Sequence, residues 1–265
     1  MPRMRRVPRH ARWSRRALLQ ALAALTAGPR ADVVAQTADD GRTQSFRLAA
    51  GAPVSLRTIA GTVRVAGVDG LEEVRLRVAR RAERAVLAAS PIAVDVTGAG
   101  LRIDATPGLA AGTRGVSADV VLDVPPDAVV DAIEIDDGRL EVDGVRGAIR
   151  ARVARGDIRA ANVSGIVRLE TSMGDVTVSR ARLSAGGLLR LRAFNGDVRL
   201  AFAAPPEDAR ILALALNGTI TSAIPLAAKE GWGPRWAEAS IGRADRVVSL
   251  DVVTGTIRIE LPDAR

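Results

Sequence analysis

The sequence predicts an all-β protein with a single-domain β-solenoid, a β-helix-like fold of stacked coils with about 18 to 22 residues per coil. Three observations lead to this prediction. A glycine-started unit recurs at a constant spacing, apolar and polar residues alternate inside each unit, and an aspartate marks every second unit.

The first observation is a repeat of the form Gly-x-apolar-x-apolar. Its first glycines follow one another every nine residues at Gly138, Gly147, Gly156, Gly165 and Gly174. The spacing then widens to thirteen residues before Gly187 and returns to nine at Gly196. Insertions between otherwise regular units are typical of loops that join structural repeats.

The second observation is the alternation within each unit. The third and fifth positions are apolar, as in Ile158 with Ala160 and Val176 with Val178, whereas the fourth position is usually polar. A period of two indicates a β-strand with one buried face, and the branched aliphatic residues at these positions favour strands.

The third observation sets the true period at two units, because Asp157, Asp175 and Asp197 follow the glycine in every second unit only. Like positions on parallel strands would then lie about 4.8 Å apart. Turn-capping is the expected role of these aspartates, and a calcium ladder is the alternative. An antiparallel meander also remains open, because Asn195-Gly196 and Asn217-Gly218 are strong hairpin dipeptides.

Residues 1–35 are predicted to be a signal peptide, which leaves residues 36–265 as the β-domain. An arginine-rich head precedes the apolar stretch 17–27, which is too short to span a bilayer, and no membrane span is found later in the sequence. Ser14-Arg15-Arg16 also resembles a twin-arginine export signal, so both export routes remain open. Either route predicts an exported protein that is periplasmic, secreted or on the cell surface.

The composition excludes several classes of function. The formal charge is +8, but the leader holds eight of the 38 basic residues and one of the 30 acidic ones. The rest of the chain is therefore close to neutral and lacks the positive field that nucleic-acid binding requires. Cysteine is absent and the one histidine, His10, lies in the leader, so no thiolate site, serine triad or histidine-bound metal is expected. No cofactor is predicted.

The repeated Gly-Asp-[Ile/Val]-x-[Val/Leu] strands, Val124-Pro125, Ile241-Gly242 and the closing strand at Gly255 carry a family resemblance. The chain resembles the bacterial "putative adhesin" family of unknown function, also called toastrack domains, over about residues 44–261. The resemblance implies an exported or membrane-associated β-helix-like domain of the cell envelope, with adhesion as its implied role. This chain lacks the transmembrane and regulatory modules that many members of the family carry.

Two groups of residues are candidates for ligand contact. Arginines at the fourth repeat position form two outward columns that could bind an acidic glycan or an anionic lipid, or could be a solvated face paired with acids. The two tryptophans of the longest loop could grip a sugar or a protein partner, or could cover the last strands. The candidates are Arg150, Arg159, Arg168, Arg190, Arg199, Trp232 and Trp236.

The function predicted from these residues is a non-catalytic binding or structural module of the cell envelope, whose partner is an envelope glycan or another envelope protein. Two alternatives remain open. One is a polysaccharide-active β-helix enzyme that uses carboxylates such as Glu134 and Asp136. The other is a sensory or regulatory envelope ectodomain.

Overall fold

The alternating repeats form β-strands throughout the part of the chain that the structure describes. A computed structural model describes residues 34–38, 41–229, 231 and 233–262. Strands make up 64% of the protein, which confirms the all-β prediction. One short helix, α1 (Arg84–Ala89), lies between two strands on the surface.

The strands are β1 (Val34–Ala38), β2 (Thr43–Phe46), β3 (Pro53–Gly67), β4 (Val74–Arg81), β5 (Ile92–Thr97), β6 (Gly100–Asp104), β7 (Ser117–Val124), β8 (Val129–Asp143), β9 (Ala148–Arg155), β10 (Ile158–Ala161), β11 (Ile166–Met173), β12 (Val176–Ala181), β13 (Leu188–Asn195), β14 (Val198–Phe202), β15 (Ala209–Ser222), β16 (Ala227–Lys229), β17 (Gly233–Ile241) and β18 (Arg246–Glu260).

Repeat units two apart lie side by side as parallel strands. Ile158 of β10 pairs with Leu140 of β8 on one side and with Val176 of β12 on the other. β11 lies in the same way between β9 and β13. An antiparallel meander is therefore wrong for this region, although β15 and β17 and several N-terminal pairs are antiparallel.

The open β-solenoid with 18 to 22 residues per coil is also wrong, because the parallel strands close into an eight-stranded β-barrel with extra strands. The reason lies in strands longer than one repeat unit. β3 and β8 each span 15 residues, run through Gly61 and Gly138, and pair with each other before and after those glycines. The sequence predicts that a strand ends at each glycine, but these strands continue through the glycine into the neighbouring unit. The described strands share one hydrogen-bonded sheet.

The interior of the barrel is a single apolar cluster built from the predicted third and fifth positions. Ile158, Val176, Val178 and Leu191 are all fully buried within it. Burial alternates along β13 from Leu188 to Phe194, where Leu189, Leu191 and Ala193 point inward. This alternation leaves the intervening residues of each strand on the outer face, where the candidate site lies.

Successive strands approach most closely at a column of glycines that crosses the sheet. The φ angle of Gly156 is +129° and that of Gly174 is +137°, a region that L side chains rarely adopt. A Cβ at Gly174 would collide with the carbonyl oxygen of Gly156, and a Cβ at Gly156 with that of Gly138. The same relation continues through Gly196, Gly255 and Gly218. The repeated glycine is therefore required by the contact between neighbouring strands.

The predicted signal peptide lies outside the described residues, except for its last two residues, which belong to β1. Within the described residues, no helix is long and apolar enough to cross a bilayer.

Candidate functional site

Side chains of β9, β11 and β13 that point away from the core form one outer face, here called the arginine face. On β13, Leu189 and Leu191 are buried, whereas Arg190 and Arg192 between and after them are exposed. The same alternation exposes the arginines of β9. Because the three strands are parallel and in register, equivalent residues form rows that run across the strands.

The first of these rows, the arginine row, consists of Arg150, Arg168 and Arg190. Arg168 on the middle strand is directly opposite Arg150 of β9 and Arg190 of β13. The structure thus brings together three of the five arginines predicted from the sequence. Like charges at directly opposed positions destabilise a sheet, so this row has an electrostatic cost in the unliganded protein.

The row beside it alternates in charge without interruption across seven adjacent strands. From β6 to β18 it reads Asp104, Arg57, Glu134, Arg152, Glu170, Arg192 and Asp251. Every in-register pair within this alternating row therefore joins opposite charges. The alternating row shows that opposite charges can be paired on this face. The arginine row lies on the same face but lacks this pairing.

The two ends of the arginine row have acidic neighbours, but its centre does not. Arg150 Nε lies 3.3 Å from Asp131 Oδ1, and Arg190 Nε lies 3.9 Å from Asp251 Oδ2. Arg168 makes no ion pair within 4.0 Å with any residue that the structure describes. The half-buried residue Arg168 therefore lies in register between two other arginines, with no carboxylate within 4.0 Å among the described residues.

A shallow cavity of about 340 Å³ lies over these two rows. Five arginines and two glutamates line it, together with aliphatic residues; the charged set is Arg150, Arg152, Arg168, Arg190, Arg192, Glu134 and Glu170. The cavity is open to solvent, and its lining carries a net positive charge. Both properties suit the binding of an anionic group.

Arg159 and Arg199 lie on a second outer face, formed by β10, β12 and β14. Thr177 separates them in the row, so they do not oppose each other. Arg199 is engaged by Glu260, with Nη2 and Oε1 2.7 Å apart. Arg159 reaches Asp157 at 3.9 Å. These two candidates therefore do not belong to the arginine face, as expected from their separation into two columns.

The tryptophan candidates differ in what the structure shows of them. Trp232 lies outside the described residues. Trp236 is half-buried on β17 and pairs in register with Leu214 of β15. Lys229 Nζ lies 4.4 Å from the centre of the Trp236 ring, which is within cation–π distance.

The aspartates of the repeat accept hydrogen bonds from backbone N–H groups of the neighbouring repeat unit. Asp157 Oδ1 accepts a hydrogen bond of 3.2 Å from the N–H of Asp175, and Asp197 Oδ1 accepts one of 2.7 Å from Thr256. Capping therefore occurs between strands, whereas the sequence pattern predicted capping within the turn. In the described part of the chain, no cluster of three metal-ligating side chains occurs.

Sequence reasoning missed two features of the arginine face. One is the alternating row, whose signal is the recurrence of charged residues at intervals of 18 and 22 in Arg152, Glu170 and Arg192. The other is Phe194, which follows Arg190 and Arg192 on the outward side of β13 and is 55% exposed. A single exposed apolar side chain is common on protein surfaces, so Phe194 by itself identifies no ligand.

Comparison with known proteins found two solved structures and no match to a family model or to a curated protein. The first is a "putative cell adhesion protein" from Clostridium sporogenes, at 11% identity and a TM-score of 0.49 over 84% of this chain and 100% of that one. The second is a "putative adhesin" from Bacteroides fragilis, at 11% identity and a TM-score of 0.32 over 84% and 99%. Both descriptions agree with the family resemblance of the sequence.

Proposed function

We propose that this protein is an exported, non-catalytic binding module of the adhesin type that binds an anionic ligand on its arginine face. The observation that carries the proposal is Arg168, which lies in register between Arg150 and Arg190 and has no acidic partner among the described residues. The arginine-rich leader predicted over residues 1–35 supports export to the cell envelope.

The two rows of the arginine face differ in their electrostatics. Charges in the alternating row compensate one another, so this row requires no bound ion for charge neutralisation. In the arginine row, like charges lie at directly opposed positions, which destabilises the sheet. A bound anion would reverse the sign of this interaction, because each guanidinium would then face an opposite charge.

The chemistry of arginine narrows the ligand to groups with several acceptor oxygens. A guanidinium donates in a planar fork that matches carboxylate, sulfate or phosphate, and such charge-assisted hydrogen bonds are stronger than neutral ones. Arg150 and Arg190 already have acidic neighbours at 3.3 and 3.9 Å. Arg168 is therefore expected to make the strongest contact with the ligand.

The proposal is tested by titrating purified protein with polygalacturonate and, as a neutral control, dextran. Replacing Arg168 by Gln removes one charge-assisted contact worth about 1.5–3 kcal/mol. That loss corresponds to roughly a 10- to 100-fold weaker Kd. Binding by the unchanged protein should also weaken as salt concentration rises.

Arg159→Gln is the matched control, because it removes the same charge from an exposed strand position on the second face. We expect Arg159→Gln to bind as the unchanged protein does. Equal losses in both variants would show that only net charge matters, and binding that survives Arg168→Gln would show that the arginine row is not the site. Either result would overturn the proposal.

A non-catalytic role is tested separately from binding. The enzyme alternative uses Glu134 and Asp136 as its carboxylates. Of these two, Glu134 lines the cavity of the proposed ligand site. Incubation with polygalacturonate should leave its chain length unchanged. Cleavage that disappears in Glu134→Gln would establish a polysaccharide-active enzyme instead.

A further inference from the structure

We infer that the ligand of the arginine face is a linear acidic polysaccharide that lies across the strands in an extended groove. This inference rests on the proposed function and names its ligand class. Three features support it: cavities that adjoin the one over the arginine row, a bulge in β8, and the side chains that line the groove.

Three cavities adjoin one another along this side of the barrel. The cavity over the arginine row, one of about 280 Å³ and one of about 450 Å³ all share Ala132 as a lining residue. The two additional cavities also share Ser55 of β3 and Arg102 of β6. Together they form a groove that runs from β6 across β3, β8, β9 and β11 to β13.

The groove passes over a bulge in β8. The register of β8 shifts between Val130 and Ile133 against β9, and it shifts at the facing position against β3. Ala132 within this bulge has a φ of +67°, a strained conformation for a residue other than glycine. Bulges of this kind occur next to binding sites, where they redirect side chains. Here Asp131 of the bulge is turned toward Arg150.

The arginine row continues from strand to strand along the groove. Ser55 pairs in register with Arg102, so the positions equivalent to the arginine row are occupied by a hydroxyl on β3 and a fourth arginine on β6. Five steps between neighbouring strands separate β6 from β13, a length of about 24 Å at normal strand spacing. A ligand that uses the whole groove must therefore be extended. Its negative charge belongs over the arginine row, because acids equal or outnumber arginines in the two additional cavities.

The lining of the groove favours a polysaccharide over other polyanions. None of the residues lining the three cavities is aromatic, so nucleic-acid bases would find no stacking surface. β8, β9, β11 and β13 pair with strands on both sides, so they offer no free edge to an extended peptide. Asp95, Thr97 and Ser55 instead add acceptors and hydroxyls that suit sugar hydroxyl groups.

The test uses oligogalacturonates of increasing length, from the monosaccharide to chains longer than the groove, titrated against the full chain. Affinity should rise by at least tenfold with length and level off once the oligomer exceeds the groove. Arg102→Gln should weaken long oligomers about tenfold and leave the shortest ones unchanged, because Arg102 lies at the far end. Arg168→Gln should weaken oligomers of every length, and melting temperatures would confirm that both variants are folded.

A monosaccharide that binds as tightly as a long oligomer would overturn the extended groove, and so would an Arg102→Gln variant that binds long oligomers normally. Polyglutamate that binds more tightly than polygalacturonate would overturn the ligand class in favour of an acidic peptide. In each case a selective loss in Arg168→Gln would leave the proposed function intact. Absence of binding to every polyanion would instead overturn the proposed function itself.

Discussion

The side chain of Asp175 joins two parallel strands, because its Oδ1 accepts a hydrogen bond of 2.8 Å from the backbone N–H of Asp197. Asp175 in turn donates its own N–H to Asp157 across 3.2 Å. Neither N–H belongs to a strand, since both residues lie in the short break after a glycine. Each carboxylate thus satisfies a backbone donor that the sheet leaves unpaired.

Asp175→Ala should therefore destabilise the protein by about 1–2 kcal/mol, because the N–H of Asp197 loses its acceptor. Asp175→Asn keeps a carbonyl oxygen at the same place and should cost much less. Urea unfolding of the two variants checks this prediction. An Asn variant as unstable as the Ala variant would show that the negative charge, and not the hydrogen bond, is what matters.

Gly174→Ala should be among the most destabilising small substitutions in the protein. The new methyl group would meet the carbonyl oxygen of Gly156, and the φ of +137° would be strained as well. We expect a loss of at least about 3 kcal/mol or failure to fold. Gly98→Ala is the matched control, since a Cβ there meets nothing within 4 Å, and it should unfold like the unchanged protein.

One substitution in the arginine row should both stabilise the protein and abolish ligand binding. Arg168→Glu would place a carboxylate between Arg150 and Arg190 and give this row the charge alternation of its neighbour. The unliganded variant should gain up to about 1 kcal/mol in low salt, and less in high salt. Binding of polygalacturonate should be lost. A variant less stable than the unchanged protein in low salt would contradict this explanation of the row.

Acid should weaken the connection between Asp208 and the turn after β17. Asp208 Oδ1 accepts the backbone N–H of Arg243 at 2.9 Å, and this hydrogen bond lowers the pKa of Asp208, assisted by the charges of Arg243 and Arg246. A lowered carboxyl pKa stabilises the fold above the unfolded-state pKa of about 3.9, and that contribution is lost as the pH falls through the folded-state value.

Thermal unfolding as a function of pH, compared between the unchanged protein and Asp208→Asn, checks this prediction. The variant should lose less stability than the unchanged protein as the pH falls below about 4. Identical pH profiles would show that the carboxylate of Asp208 makes no linked contribution to folding.

The sequence repeat predicts local structure and pairing well because both depend on neighbouring or regularly spaced residues. The alternation around Ile158 predicts its burial, and the two-unit period predicts its parallel neighbours Leu140 and Val176. Closure into a barrel was not predictable from the same pattern. It depends on whether a strand continues through Gly61 or Gly138, and a glycine with positive φ is compatible with a corner as well as with a continuing strand.

The candidate site was predictable in part for the same reason. Arg150, Arg168 and Arg190 meet because they differ by 18 and 22 residues, whereas Arg159, nine residues from Arg150, falls on another face. The groove around Ala132 depends on a bulge, and no glycine or proline at positions 130–133 signals one. Long-range contacts between strands place that bulge beside Arg150.

Each arginine of the arginine row comes from a different strand, and the nearest two are 18 residues apart in the chain. No short peptide cut from this protein can therefore carry more than one of them. Recognition would then appear and vanish together with the folded sheet, so that proteolysis or denaturation abolishes it in a single step, and a synthetic fragment cannot imitate it.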